Sequence, residues 1–220
     1  MSEFAWIFQE TGSAIKSLID KFIEKPYFFY TEQDMHAFLY HKLISGKLGE
    51  YFVETSSKDQ TILVHKEYPT LNKYVGLARR TRGHFDLAII NPLHASESHW
   101  RRYIKEPPKS RHAPQVAIEI GLNEIGNTRL DLEHFEKDFE RLTDPENNVE
   151  RGYLLFFVRR EDFAGSGMLP IIDQLPKRLQ EKFEKRRYHT NNLVIVYAES
   201  GHADVGLLRV IPEDRLSWIG

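Results

Sequence analysis

Two short segments restrict the fold more than anything else in the chain: HFDLAII (His84–Ile90) and QVAIEI (Gln115–Ile120). Each is a β-rich apolar run closed by turn signals, Gly83 and Asn91-Pro92 around the first, Pro114 and Gly121 around the second. A single acid interrupts each run, Asp86 in one and Glu119 in the other. Strand alternation puts Asp86 on the side of Ala88 and Ile90, and Glu119 on the side of Ala117 and Gly121. Two such acids on neighbouring strands repel each other when buried and ionised, unless a cation sits between them. An acid at a sheet edge with its head in water is the other way to place such a residue.

The remaining pattern supplies layers for these strands to pack against. Helical spacing of Phe4, Ile7, Phe8, Ile15, Leu18, Ile19, Phe22 and Ile23 predicts a helix over about 3–24, stopped by Pro26. Thr31 followed by Asp34 predicts an N-capped helix reaching about Ile44. TILVHKEY (Thr61–Tyr68) reads as a strand ending at Pro69. A helix over Thr128–Leu142, a strand Tyr153–Val158, a helix near Leu175–Arg187, a strand Leu193–Ala198 and an edge strand Val205–Ile211 follow. The helix between the third and fourth strands predicts a crossover, hence a mixed central β-sheet flanked by helices, an α/β fold. A chain of 220 residues suits a single domain. Its parts are a helical segment (1–30), a core (31–158), and a C-terminal helix and strands that complete the sheet (159–220).

Glu32 is a third acid of interest. It shares a helix face with Met35, Leu39 and Leu43, the face that packs on a sheet. A carboxylate there is costly unless it meets a cation or donors. First-turn acids are also favoured by the helix dipole alone, and both readings stand. Small residues beside Asp86 and Glu119 leave room for an ion and a phosphate, or for a packed helix. Hard divalent ions take this all-oxygen setting, with one or two carboxylates, waters and substrate phosphate.

A helix bearing Glu32, then RGHFDLAII, then VAIEI, then a helix and an apolar strand, resembles the PD-(D/E)XK nuclease superfamily over roughly Thr31–Val158. The resemblance implies a restriction-endonuclease-like core with Asp86 and Glu119 as ligands of Mg2+ or Mn2+. It implies Glu32 as the assisting helix acid, and a lysine that activates water. That lysine is missing: the position two after Glu119 is Gly121. Lys66 on the preceding strand is the nearest substitute, and a solvated strand lysine is its other reading. Metal-bound hydroxide can attack without a lysine, so Gly121 speaks against a fast nuclease more than against any nuclease.

A net charge of −2 excludes a globally basic nucleic-acid binder. The segment Arg79–Arg111, however, carries eight Lys/Arg against three acids. Arg79, Arg80, Arg82, Trp100, Arg101, Arg102 and Lys105 combine cations with a stacking ring, as nucleic-acid sites do. A solvated loop has the same composition. The absence of cysteine excludes disulfides, thiolate zinc sites and thiol nucleophiles. No serine elbow, phosphate loop or H-x-x-x-H pair is present. The expectation is a cytoplasmic protein with no membrane segment, compatible with a homodimer. Its expected function is metal-dependent hydrolysis of DNA, less readily RNA. The alternative is a nuclease-like module without catalysis that binds nucleic acid or a protein partner.

Overall fold

The computed structural model of the chain describes residues 4–54, 58–75, 80–95, 114–123, 128–159, 193–200, 206–210 and 216–219. Helix α1 (Ala5–Glu24) buries Ile7, Ala14, Ile15, Leu18 and Phe22 along one stripe and yields at Pro26 to a short 3-10 turn, Pro26–Phe28. Helix α2 (Glu32–Ile44) starts on a capping box. Asp34 N donates to Thr31 Oγ1 at 3.3 Å, while Thr31 N donates to Asp34 Oδ2 at 2.8 Å. Met35, His36, Leu39 and Leu43 form its buried face. One-turn helices α3 (Lys47–Glu50) and α4 (Pro92–Ala95) punctuate loops, and α5 (Thr128–Thr143) buries Phe135, Phe139 and Leu142.

Strands β1 (Phe52–Glu54) and β2 (Gln60–Ile62) make a small hairpin. Among the described residues the main sheet has seven strands in chain order: β3 (Val64–Val75), β4 (Arg80–Ile90), β5 (Pro114–Asn123), β6 (Arg151–Arg159), β7 (Leu193–Ser200), β8 (Gly206–Val210) and β9 (Leu216–Ile219). It is mixed: β5, β6 and β7 run parallel, and the other neighbours are antiparallel. The parallel centre explains the unbroken run YLLFFV, because a strand covered on both faces needs apolar residues at every position. Phe157 meets Phe22 of α1 on one face, and Phe156 meets Phe135 of α5 on the other. Helices therefore flank the sheet on both sides.

One feature of the pairing positions the site. Strand β4 stays paired with β3 from Ile89 back to Arg80, but its ladder with β5 ends at Leu87↔Ile118. Strand β5 continues beside β6 as far as Asn123↔Val158. Past Leu87 and Ile118 the two strands part, leaving a fork that exposes backbone N–H groups of β5.

Several expected boundaries move. The strand expected to end at Pro69 is instead two, β2 and β3, and β3 runs through Pro69 to Val75. It is the edge strand of the sheet, where a residue lacking N–H costs no ladder bond, and the register shifts between Pro69 and Lys73. Strand β4 begins at Arg80 rather than His84, and β5 passes through Gly121 to Asn123. The final strand, expected at an edge, is β8 between β7 and β9; LSWI forms that unforeseen outer strand. The helix expected near Leu175–Arg187 lies outside the described residues.

Candidate active site

Asp86 and Glu119 occupy the first positions past the last β4–β5 pair, so the fork opens at the two acids. The parted backbone needs hydrogen-bond partners, and the acids supply them. Ile120 N donates to Asp86 Oδ2 at 2.7 Å, and Asp86 N donates to Glu119 Oε2 at 3.4 Å. Leu122 N donates to Glu32 Oε2 at 3.4 Å, which brings the first turn of α2 to the same fork. The three acids singled out in the sequence thus meet at one place.

Helix α5 approaches from the opposite face with a cation. Arg141 Nε lies 3.2 Å from Glu119 Oε1, Nη1 donates to the His84 carbonyl, and Nη2 pairs with Asp138. An open cavity of about 230 Å3 lies between these elements, lined by Glu32, Asp86, Gly121, Asp138, Arg141 and Phe156 among others. His134 and Lys137 of α5 also reach it. Glu119 is completely buried and meets the cavity only through its contacts with Asp86 and Arg141.

Among the described residues, four acids face two cations, Arg141 and Lys137, which leaves the site with excess negative charge. Burial, with the Asp86 charge second, pushes the Glu32 carboxyl up to about 7. Burial and the Asp138 charge push Asp86 up to about 7, against the Ile120 amide and Arg141. Glu119 rises well above the usual carboxylate range, chiefly by burial and then by the Asp138 and Asp86 charges. Asp138 is also raised by burial, opposed by Arg141. Each of these acids is thus harder to ionise than a free carboxyl, and a divalent cation beside them would favour their ionised forms.

The missing lysine has a steric counterpart. Gly121 pairs with Phe156 of β6, and a Cβ at position 121 would lie 2.8 Å from two ring carbons of Phe156. That ring is buried between Phe135 and Tyr197. The space a side chain at 121 would use is therefore filled. Lys66, the expected substitute, pairs with Leu87 rather than Asp86 and is exposed on the edge strand. It is not among the residues lining the cavity. Of the basic segment, Arg80 and Arg82 lie on β4, paired with Val75 and Lys73. Arg79, Trp100, Arg101, Arg102 and Lys105 lie outside the described residues.

Several residues at the site were not singled out in the sequence, Lys137 among them. His134, Asp138 and Arg141 follow helical spacing beside the buried stripe of Phe135, Phe139 and Leu142, and that polar ridge was the available signal. His36, four residues after Glu32, is 1% exposed, with Nε2 3.4 Å from Asp86 Oδ2 and 3.7 Å from Glu32 Oε1. Burial lowers its pKa first, as does Lys66, while Glu32, Glu67 and the Ile120 backbone pull the other way.

No protein-family model, curated protein or solved structure matches this chain. No helix among the described residues is long and apolar enough to cross a membrane.

Proposed function

We propose that this chain is a divalent-metal-dependent phosphodiesterase acting on nucleic acid, DNA before RNA. On this reading its core is of the PD-(D/E)XK type, and α5 supplies the cation in place of the strand lysine. The observation that carries the reading is the meeting of Glu32, Asp86 and Glu119 at the β4–β5 fork, beside a cavity that also presents Arg141 and Lys137. The donor set fits a hard divalent ion: oxygen ligands, negative charge in excess, and carboxyls raised to about 7 by burial and by their neighbours' charge. Asp86 and Glu119 would hold Mg2+ or Mn2+, with Glu32 beside them. Such an ion supplies an acidified water and neutralises charge on phosphoryl oxygens.

The residues of the chain do the rest. The Ile120 amide fixes one oxygen of Asp86, and the Asp86 amide fixes one oxygen of Glu119, so both carboxylates are held in place by backbone. Arg141 is held by three partners, which aims its guanidinium at the cavity wall, where a phosphate would sit. Lys137 adds a second positive charge at the same wall. The basic run Arg79–Arg111 would carry the backbone of the substrate.

A second reading has its own observation. Phe156 closes the lysine position, and a domain that binds nucleic acid without cutting it would tolerate that closure. Incubation of the purified chain with Mg2+ or Mn2+ on duplex DNA, single-stranded DNA and RNA separates the two. Slow cutting that Asp86→Asn abolishes, with the fold retained by circular dichroism, supports the hydrolase. No cutting of any substrate with either ion leaves the binding module.

A further inference from the structure

His36 is the least explained side chain near the fork. Its imidazole is 1% exposed, and among the described residues neither ring nitrogen has a well-formed hydrogen bond; Asp86 Oδ2 at 3.4 Å and the Ile120 backbone are polar neighbours. Most buried polar atoms are satisfied, so a poorly paired imidazole beside carboxylates has a nitrogen to offer a metal ion. Glu67 stands next to it. The pairs Lys66↔Leu87 and Tyr68↔Phe85 place Glu67 opposite Asp86, and Glu67 holds a left-handed φ of 49° within a strand. For a non-glycine residue that conformation is uncommon.

The three side chains fit one ion. Ligand atoms of His36, Glu67 and Asp86 lie within 4.8 Å of one another, and His36 Nε2 is 3.4 Å from Asp86 Oδ2. Cis ligands about 2.2 Å from a common octahedral ion are about 3.1 Å apart, so the His36–Asp86 pair needs to close by only about 0.3 Å. The Glu67 carboxylate is exposed, so its side chain can rotate toward the other two ligands. Asp86 faces both this group and the oxygen cluster with Glu119, so it can belong to two ion positions.

We infer that His36, Glu67 and Asp86 form a binding site for a first-row divalent transition ion such as Mn2+ or Co2+, in preference to Mg2+. The imidazole is the reason for the preference: nitrogen ligands suit transition ions, whereas Mg2+ seeks oxygen and water. The site concerns ion binding and holds whether or not the cavity hydrolyses phosphodiesters.

The test uses the whole chain, stripped with EDTA and titrated separately with Mn2+ and Mg2+ at pH 7.5. Pulsed electron paramagnetic resonance of the Mn2+ form should show coupling to a 14N nucleus, and calorimetry should give Mn2+ at least about tenfold tighter binding than Mg2+. His36→Gln should remove the nitrogen coupling and most of that preference. Glu67→Gln alters an exposed side chain, so the fold is not at risk. It should keep the coupling while weakening Mn2+ by about tenfold or more. Absence of nitrogen coupling overturns the proposal, as does Glu67→Gln binding Mn2+ like the wild type. Neither result depends on DNA cleavage, so failure here and failure of the hydrolase reading are separately visible.

Discussion

Replacing Arg141 with Met tests whether a cation from α5 balances the buried acids. Methionine keeps much of the apolar stem and removes the charge, so the loss should be electrostatic rather than a cavity effect. The side chain of Glu119 is 1% exposed, and water cannot take over from the guanidinium. The cluster can escape an unpaired charge only by binding one more proton. From an ordinary value of 4.5, holding that proton at pH 7 costs about 3.4 kcal/mol. That ceiling agrees with the roughly 3–5 kcal/mol lost when one member of a buried pair is removed. We expect about 3 kcal/mol, read from urea denaturation in EDTA by far-ultraviolet circular dichroism. At pH 5.5 the same proton costs about 1.4 kcal/mol, so the gap between wild type and variant should shrink accordingly. A gap below about 1 kcal/mol at pH 7 refutes the balancing role. A gap that does not change with pH assigns the loss to packing instead.

Two further outcomes follow from the same geometry. Gly121→Lys alone should destabilise the chain by about 1–3 kcal/mol, because its Cβ would lie 2.8 Å from the buried Phe156 ring; adding Phe156→Leu should recover most of the loss, and equal midpoints for Gly121→Lys and wild type in urea would contradict the steric account. The pH profile of wild-type stability without divalent ions should also slope downward. Asp86 moves from 3.8 to about 7 on folding, so the native state binds the extra proton between those values, and that advantage is lost as pH rises through about 7. The fall from Asp86 is at most about 4 kcal/mol, while Glu32, 44% exposed, adds little through solvent screening. Mn2+ should bind more tightly as pH rises through the same range, and a flat stability profile between pH 5 and 8 in EDTA would contradict the assignment.

The site was legible wherever one residue broke a local pattern. Asp86 and Glu119 each interrupt an apolar strand, and Thr31 with Asp34 fixes the start of α2, which sets the phase of Glu32. Arg141 was hidden because a helix rich in Glu, Lys and Arg reads as a solvated face. Its partner Asp138 differs from neighbouring acids only in what the fold lays against it. His36 has no second histidine at helical spacing to mark it, and its companions Asp86 and Glu67 come from strands 50 and 31 residues away in the chain. Phe156 over Gly121 depends on a parallel register that no local pattern encodes. In the fold, the crossover and the central strands followed from apolar runs and their spacing. Strand β3 did not, since Pro69 is a stop signal only where its missing N–H is needed.

The fork has a consequence for the history of such a chain. Asp86 and Glu32 accept from the amides of Ile120 and Leu122, which have lost their β4 partners, and Glu119 does the same for Asp86. The acids therefore serve as end caps for a parted sheet as well as a candidate metal site. Leaving a buried amide unpaired costs about 1–3 kcal/mol. Selection on stability alone would then hold a lineage to these carboxylates even after hydrolysis had ceased. The residues that drift first on loss of catalysis would be those with no backbone to support, such as Lys137 at the cavity wall.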